Sequence, residues 1–300
     1  MHALTQHNPT SILRRLRKLV FAAPLGLAVA FSPLTALAET GIHNADGVDI
    51  HFVDEGTGEA VIYLHGFAGS SDMWSAVGLL PLDEFRTVAF DARGHGRSDK
   101  PEDAGDYGAR LVEDVIGLMD ARGIEQAHIV GYSMGAETAL ALAADHHDRV
   151  LSVVAAGSGL SGEPEAQAYG FIAGALAEVD TFGGFMASMA PPDQDLPPEA
   201  QAAMLDLLSA HGIDPGQPAA SLAAVAASLP GIISLDAEVL GTIAVPVLGI
   251  AGEDDPERGN VEALVDALPG ATVTIIAGTD HLTAPVAPEF AQAVTAFLKD

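Results

Sequence analysis

Short, almost entirely apolar runs alternate with helical segments along most of this sequence. One helical segment, residues 107–122, places Leu111, Val115 and Leu118 on one face. The strand-like runs are RTVAF (86–90), AHIVGY (127–132), RVLSVVAAG (149–157), VPVLGIAG (245–252) and ATVTIIAG (271–278). Strands that are apolar on both faces are typical of parallel sheets covered by helices on both sides. The alternation therefore predicts an α/β fold with a mostly parallel central sheet flanked by helices.

A long stretch in the second half of the chain interrupts this alternation. Residues 158–240 are rich in Ala, Gly, Pro and Glu, and they show helical spacing in 165–179 and in 199–210. A helical segment inserted between two strands of the sheet predicts a cap over the core. We therefore assign 39–157 and 241–300 to the core and 158–240 to a helical cap.

The first 38 residues have the three parts of a secretory signal peptide. A basic stretch, residues 11–18, precedes the apolar run 19–31, and residues 36–38 (ALA) supply the small side chains of a signal-peptidase site. A retained membrane anchor is the alternative, but two prolines and the small-residue exit favour cleavage. We expect a periplasmic or secreted protein with no stable membrane association after cleavage.

The chain that would remain after cleavage is strongly acidic. Of the 13 Lys and Arg residues, four lie in the signal segment, which leaves nine against 41 Asp and Glu and a formal charge of −32. Such a surface repels nucleic acid and anionic lipid, so neither is expected as a partner. The sequence has no cysteine, which excludes disulfides and a lipid anchor attached through a thiol.

The segment GYSMG (131–135) places one serine between two glycines at a predicted strand-to-helix junction. A sharp turn needs neighbours without side chains, and it would hold Ser133 out from the backbone. A serine hydroxyl is a weak nucleophile until a base removes its proton, and the usual base is a histidine oriented by a carboxylate. Ser133 is therefore the candidate nucleophile.

Candidates for the base and the acid follow the last two predicted strands. Asp255 lies just beyond the run that ends at residue 252, and His281 lies just beyond the run that ends at residue 278. Because the carboxyl ends of parallel strands meet at one edge of a sheet, both side chains should lie near Ser133. Glu253 and Asp254 compete with Asp255 for the role of the acid.

Five segments together resemble the α/β-hydrolase superfamily, in the capped group that includes bacterial esterases, cofactor-independent haloperoxidases and epoxide hydrolases. They occur in the order typical of that family, over essentially all of the chain beyond the signal segment. The segments are HGFAGSSDMW (65–74), DARGHGRSDKP (91–101), GYSMG (131–135), GEDDP (252–256) and DH (280–281).

The resemblance implies a Ser-Asp-His triad. Ser133 would be the nucleophile, His281 the general base, and Asp255 the group that orients the histidine. The spacing of the family's acid, three residues after Gly252, favours Asp255 over Asp254. Some members of the family place the acid after the strand before this one. In this sequence that strand is the run 149–157, and no carboxylate directly follows it.

The resemblance also implies an oxyanion hole made of the backbone N–H groups of Phe67 and Met134. Each such donor typically lowers the barrier by about 3 kcal/mol. We interpret His65 as a residue that shapes the oxyanion loop. The chain has Asp280 before the histidine where the family more usually has glycine, so the shape of this loop should differ.

The function expected from these features is hydrolysis of a neutral, fairly apolar carboxylic ester. Serine at position 133 excludes epoxide hydrolases and haloalkane dehalogenases, which need a carboxylate there. No Arg or Lys occurs between residues 150 and 257, so the cap offers no cationic group to an anionic substrate. A cofactor-free perhydrolase or haloperoxidase, a C–C hydrolase and an acyltransferase would share the triad, and a non-catalytic binding protein would share the fold.

No cofactor and no metal are expected. The segment GSGLSG (157–162) matches the pattern G-x-G-x-x-G of dinucleotide sites, but it lies late in the chain where the sheet leads into the cap. The pair His146-His147 lies at a predicted helix end and is interpreted as solvated. A small-molecule ester is the expected partner.

Overall fold

A computed structural model describes residues 38–189, 197–232, 235 and 237–300, and its centre is an eight-stranded sheet. The strands are β1 (Glu39–Ala45), β2 (Val48–Gly56), β3 (Glu59–Leu64), β4 (Phe85–Phe90), β5 (Ala127–Tyr132), β6 (Val150–Ala156), β7 (Val247–Gly252) and β8 (Thr272–Ile276). Their order is β1-β2-β4-β3-β5-β6-β7-β8. The pairs β1–β2 and β2–β4 are antiparallel, and the other five pairs are parallel. The predicted mostly parallel sheet is confirmed.

Helices flank this sheet, as the alternation in the sequence predicts. The helices outside the insertion are α1 (Asp72–Ala76), α2 (Arg110–Ala121), α3 (Met134–Asp145), α9 (Arg258–Glu262), α10 (Leu264–Ala267) and α11 (Pro288–Leu298). Between β6 and β7 lie α4 (Glu163–Leu176), α5 (Phe182–Met189), α6 (Pro198–Ala210), α7 (Ala219–Ser228) and α8 (Ala237–Leu240). None of the helices in the described ranges is long and apolar enough to cross a membrane.

Successive residues of the central strands enter two separate buried layers. In β5, Ile129 belongs to the cluster that contains side chains of α2 and α3, whereas Val130 belongs to the cluster with Trp74 of α1 and Phe290 of α11. Alternate residues of a strand point to opposite faces, and here helices cover both faces. This is why β5 has an almost entirely apolar sequence.

The inserted helices pack against the loops at the carboxyl ends of the strands. Val225 of α7 lies in a buried cluster with Met134, the first residue of α3. A second cluster joins Leu176 of α4 and Phe182 of α5 to Ala68, in the loop after β3. The helices therefore lie over the edge of the sheet where the candidate residues were expected. The predicted cap limits, residues 158 and 240, stay predictions.

The first strand, β1, is not indicated by the sequence analysis. It forms the edge of the sheet, and Glu39 at its start accepts two hydrogen bonds from the Arg122 guanidinium. Arg122 also donates to Asp54 of β2 at 2.8 Å, so one side chain ties both strands to the end of α2. The predicted signal peptide falls on residues 1–37, which lie outside the described residues, and on Ala38, next to β1.

Candidate active site

Ser133 lies in the sharp turn between β5 and α3. Its backbone has φ of 52° and ψ of −118°, a conformation that residues other than glycine rarely adopt. A Cβ atom on Gly131 would collide with the carbonyl oxygen of Gly135, and one on Gly135 would collide with that of Leu64. The two glycines therefore allow α3 to start in direct contact with the sheet, and the turn between them presents the serine.

His281 lies between Ser133 and Asp255. Its Nε2 is 3.1 Å from the Ser133 Oγ, and its Nδ1 is 3.1 Å from each carboxylate oxygen of Asp255. The Asp255 side chain is fully buried, whereas 28% of the His281 side chain is exposed. If Nδ1–H donates to the carboxylate, the lone pair of Nε2 faces the serine hydroxyl. The structure thus brings together three residues that come from separate parts of the sequence.

Asp255, rather than Glu253 or Asp254, faces the histidine. Glu253 and Asp254 are both exposed, and Glu253 accepts a hydrogen bond from the N–H of Gly278 at 2.8 Å. Asp255 accepts a further hydrogen bond from the N–H of Glu257 at 2.9 Å, which fixes the carboxylate in the orientation that meets His281.

Side-chain hydrogen bonds from two directions hold the loop that carries His281. The Tyr132 hydroxyl donates to the carbonyl oxygen of His281. On the other side, Asp280 Oδ1 accepts hydrogen bonds from the Leu282 and Thr283 N–H groups and from the Thr283 hydroxyl, at 2.7–3.0 Å. The hydrogen bonds from Thr283 lower the pKa of Asp280. Asp280 therefore closes the turn at the position where the resemblance implied a glycine.

The two predicted oxyanion-hole donors belong to two different segments of the chain. Met134 begins α3, and Phe67 lies in the loop after β3. Within the described part of the chain, neither N–H group has a hydrogen-bond acceptor. Their role as an oxyanion hole stays a prediction, and both groups remain available for it.

His65 holds the loop that carries Phe67. Its Nδ1 donates to the Gly66 carbonyl at 2.8 Å, and its Nε2 accepts from the Ala92 N–H at 2.9 Å. Burial lowers the pKa of His65, so the imidazole is neutral in both of these contacts. These contacts give His65 a structural role in the loop and no role in proton transfer.

Two cavities open on either side of Ser133, and Phe67, Ile172 and His281 line both. The larger has a volume of about 420 Å³, and its lining includes five apolar side chains from the segment between β6 and β7: Phe182, Phe185, Met186, Leu208 and Ile213. The smaller has a volume of about 280 Å³ and is lined by more polar residues, among them Glu137, Ser158, Glu165, Tyr169 and Glu257. No Lys or Arg stands among the described residues that line either cavity.

Glu137 is a residue of the site that the sequence analysis missed. It lies on α3 one turn beyond Ser133, and only 3% of its surface is exposed. A single acidic residue in the otherwise uncharged run AETALALAA is the signal that could have identified it, because buried carboxyl groups are rare without a functional or structural partner.

The structure gives local reasons for the other motifs. In GSGLSG, a Cβ atom on Gly159 would collide with the carbonyl oxygen of Asn260, so close packing accounts for that glycine without a nucleotide. Among the residues described, no group of three or more His, Asp or Glu side chains is arranged to hold a metal ion.

Comparison with known proteins gives one family and several hydrolases. Residues 59–183 match the family model of the alpha/beta hydrolase fold. Over 267 residues, the chain is 29% identical to 2-(acetamidomethylene)succinate hydrolase of Mesorhizobium japonicum, a match that covers 84% of this chain and 92% of the relative. The crystal structure of a hydrolase from Pseudomonas aeruginosa superposes with a TM-score of 0.71 at 25% identity, over 87% of this chain and 99% of that chain.

A shorter match reaches a higher identity. Over 112 residues, the chain is 44% identical to the dihydrolipoyllysine-residue acetyltransferase component of the acetoin cleaving system of Cupriavidus necator. This match covers 37% of the chain but only 29% of the relative's length. The likeness therefore concerns one part of that larger protein.

Proposed function

Because the chain belongs to the α/β-hydrolase superfamily, we propose that it is a serine hydrolase that cleaves a neutral, fairly apolar carboxylic ester through an acyl-enzyme on Ser133. The observation that carries this proposal is the position of His281, whose two ring nitrogens lie 3.1 Å from the Ser133 hydroxyl and from the Asp255 carboxylate. This is the arrangement that converts a serine hydroxyl into a nucleophile.

In the first half of the reaction, the Ser133 Oγ attacks the ester carbonyl carbon while His281 Nε2 takes the hydroxyl proton. The Asp255 carboxylate stabilises the imidazolium that forms. The carbonyl oxygen becomes an oxyanion, which the N–H groups of Phe67 and Met134 would stabilise. Collapse of this intermediate breaks the bond to the alcohol oxygen, which leaves with the proton from His281.

In the second half, water replaces the alcohol. His281 Nε2 takes a proton from the water, whose oxygen attacks the acyl carbonyl carbon. Collapse of the second tetrahedral intermediate returns the proton to the Ser133 Oγ and releases the acid. The same residues act in both halves, so loss of Ser133 or His281 should stop both.

The lining of the two cavities supports an uncharged reacting region in the substrate. The described lining residues offer apolar surface and carboxyl groups but no cation that would pair with an anion. The Mesorhizobium relative is named for a succinate, which is an anion, and its substrate would find no counter-charge here. We therefore propose a different substrate class for this chain.

The test is turnover of p-nitrophenyl esters of increasing acyl length by the purified protein and by Ser133→Ala. We expect turnover by the wild type, loss of turnover in the variant, and an acyl adduct on the peptide that contains Ser133 when the reaction is stopped with acid. A folded wild-type protein that cleaves no ester, or a variant that keeps its rate, would contradict the proposal.

We also propose that the protein is exported and cleaved after Ala38. The sequence pattern of the first 38 residues supports this, and β1 begins at Glu39, so cleavage there would leave the strand whole. Expression of the full chain in a bacterial host should give a periplasmic or secreted product whose N-terminal residue is Glu39. An uncleaved chain in the cytoplasm would contradict the proposal.

A further inference from the structure

Glu137 places a buried carboxyl group in the wall of the smaller cavity, beside Ser133 and His281. Its position four residues after Ser133 puts it on the same side of α3 as the nucleophile, and only 3% of its surface is exposed. Neither the nucleophile, the base nor the oxyanion hole needs a carboxyl group at this place. The position of Glu137 in the cavity wall therefore indicates a role outside the hydrolytic steps.

The protein itself satisfies only part of the hydrogen-bonding capacity of Glu137. The Ser158 hydroxyl donates to one carboxyl oxygen at 3.2 Å, and the Tyr169 hydroxyl donates to the other at 3.3 Å. The two oxygens of an ionised carboxyl group can accept about four hydrogen bonds, and the protonated group keeps part of that acceptor capacity. Within the described ranges, Glu137 has no ion pair with Lys, Arg or His. A ligand in the cavity could therefore fill the remaining positions.

The walls of the two cavities differ in chemistry. The larger cavity is bounded mainly by aromatic and aliphatic side chains such as Phe182, Phe185 and Leu208. The smaller cavity has Glu137 at its inner wall, with Glu165 and Glu257 also lining it. The amide of Asn260 donates to both of these glutamates, at 2.9 and 2.7 Å, which holds the two carboxylates side by side.

From this asymmetry we infer that Glu137 selects esters whose arm in the smaller cavity ends in a hydrogen-bond donor, a hydroxyl group in the neutral substrate, for which an ammonium-ended ester serves as a charged probe. This inference rests on the proposed function, because it names the substrate of the same site. The other arm of the ester would be apolar and would lie in the larger cavity. An arm that ends in a carboxylate would meet only like charge, from Glu165 and Glu257.

The first test compares esters of equal size that differ only at the end of one arm. In an acyl series, p-nitrophenyl heptanoate, ω-hydroxyhexanoate and ω-aminohexanoate are compared. In an alcohol series, butanoates of hexanol, pentanediol and aminopentanol are compared. In one series, we expect kcat/KM to be about tenfold higher for the donor-ended esters than for the methyl-ended ester.

Outcomes of this comparison separate the two proposals. If the wild type cleaves the esters but favours the methyl-ended member in both series, the inference about Glu137 is wrong while ester hydrolysis stands. If it cleaves none of them, the proposed function itself fails.

Variants at position 137 test whether this residue is the cause. Glu137→Gln keeps a hydrogen-bond acceptor and should keep the preference for the hydroxyl-ended ester, whereas Glu137→Leu should abolish it. Glu163→Gln is the matched control, because Glu163 is an exposed glutamate of α4 that does not line the cavity. An unchanged ratio of kcat/KM values in Glu137→Leu would overturn the inference.

The pH dependence of the preference gives a readout that does not depend on whether Glu137→Leu folds. Burial raises the pKa of Glu137 to about 8, so the carboxyl group gains its charge between pH 7 and 9. The groups that face it are Tyr169, Glu165, Glu257 and His281. In the wild type, the preference for the ammonium-ended over the methyl-ended ester should rise across this range, because an alkyl ammonium stays charged.

Glu137→Gln has no charge to gain and should show no such rise. An equal rise in the wild type and in Glu137→Gln would overturn the role of Glu137. So would a wild-type preference that is flat between pH 7 and 9.

Discussion

The hydroxyl group of Tyr132 donates a hydrogen bond to the backbone carbonyl oxygen of His281, although the two residues lie 149 positions apart in the sequence. Tyr132 directly precedes the candidate nucleophile, and its ring also packs against the imidazole with 5.4 Å between ring centroids. One buried side chain at the end of β5, directly before Ser133, therefore holds the loop that carries the proposed base.

Removing this hydroxyl group should impair turnover more than stability. For Tyr132→Phe we expect kcat/KM on a good ester to fall about five- to tenfold, because a single hydrogen bond that orients His281 is worth about 1 kcal/mol. Steady-state kinetics and thermal unfolding would measure both effects. Tyr63→Phe is the control, since the buried Tyr63 hydroxyl has no hydrogen-bond partner among the described residues. Equal kinetics in the two variants would contradict the prediction.

Replacing the acid should separate Asp255 from its neighbour. Asp255→Asn keeps the shape of the side chain but removes the charge that orients and stabilises the imidazolium, so kcat should fall by roughly a thousandfold or more. Asp254→Asn changes an exposed side chain and should leave kcat within about twofold. The measurement is kcat of both variants on one ester. A larger loss of kcat in Asp254→Asn than in Asp255→Asn would assign the role of the acid to Asp254.

The glycine at position 135 should not tolerate a methyl group. In Gly135→Ala, the new Cβ would collide with the Leu64 carbonyl oxygen, and neither α3 nor β3 can move without disturbing the core. We expect a loss of about 3 kcal/mol or more in the free energy of unfolding, measured with urea.

A helical glycine with free space serves as the comparison. Gly174 lies inside α4, and nothing lies within 4 Å of a Cβ atom built on it. Gly174→Ala should therefore stabilise the protein by about 0.5–1 kcal/mol. A Gly135→Ala variant as stable as Gly174→Ala would disprove the close contact between α3 and β3.

Acid should destabilise the protein through its buried histidines. Burial lowers the pKa of His95 to about 3, and it also lowers the pKa of His65. Both are neutral in the folded state, whereas an unfolded histidine takes up a proton near pH 6.5. The stabilisation from these neutral histidines is therefore complete above pH 6.5 and decreases as the pH falls. For His95 the loss is about 1.4 kcal/mol per pH unit down to about pH 3.

Urea unfolding between pH 7.5 and pH 4 would measure this slope. His95→Gln should reduce the slope, and His147→Gln, at an exposed position, should leave it unchanged. If both variants kept the wild-type slope, His95 would not be the source of the acid sensitivity.

Much of the architecture could be predicted because the apolar runs and the helical segments that alternate with them indicate the same fold. The apolar runs that become β5, β6 and β7 are buried on both faces, so their composition alone indicates parallel strands between helices. The convergence of Ser133, Asp255 and His281 followed from the rule that the carboxyl ends of parallel strands share one edge. Their catalytic roles are still predictions.

The remaining features depend on contacts that a linear pattern does not contain. The strand β1 is an edge strand whose residues are exposed or half-buried, and its position depends on pairing with β2 and on the Arg122–Glu39 ion pair. The helical segment between β7 and β8 is divided into α9 and α10 at Ala263. The place of Glu137 in the cavity wall depends on where α4 packs, which no local spacing specifies.

The distance in sequence between the nucleophile and the base has a consequence for how the protein is made. Ser133 and His281 are 148 positions apart, with the inserted helices between them. A growing chain completes the turn that bears Ser133 well before His281 is synthesised. Partial products of translation would therefore contain Ser133 without the proposed base, and the proposed hydrolysis would begin only when β8 and the loop after it have joined the sheet.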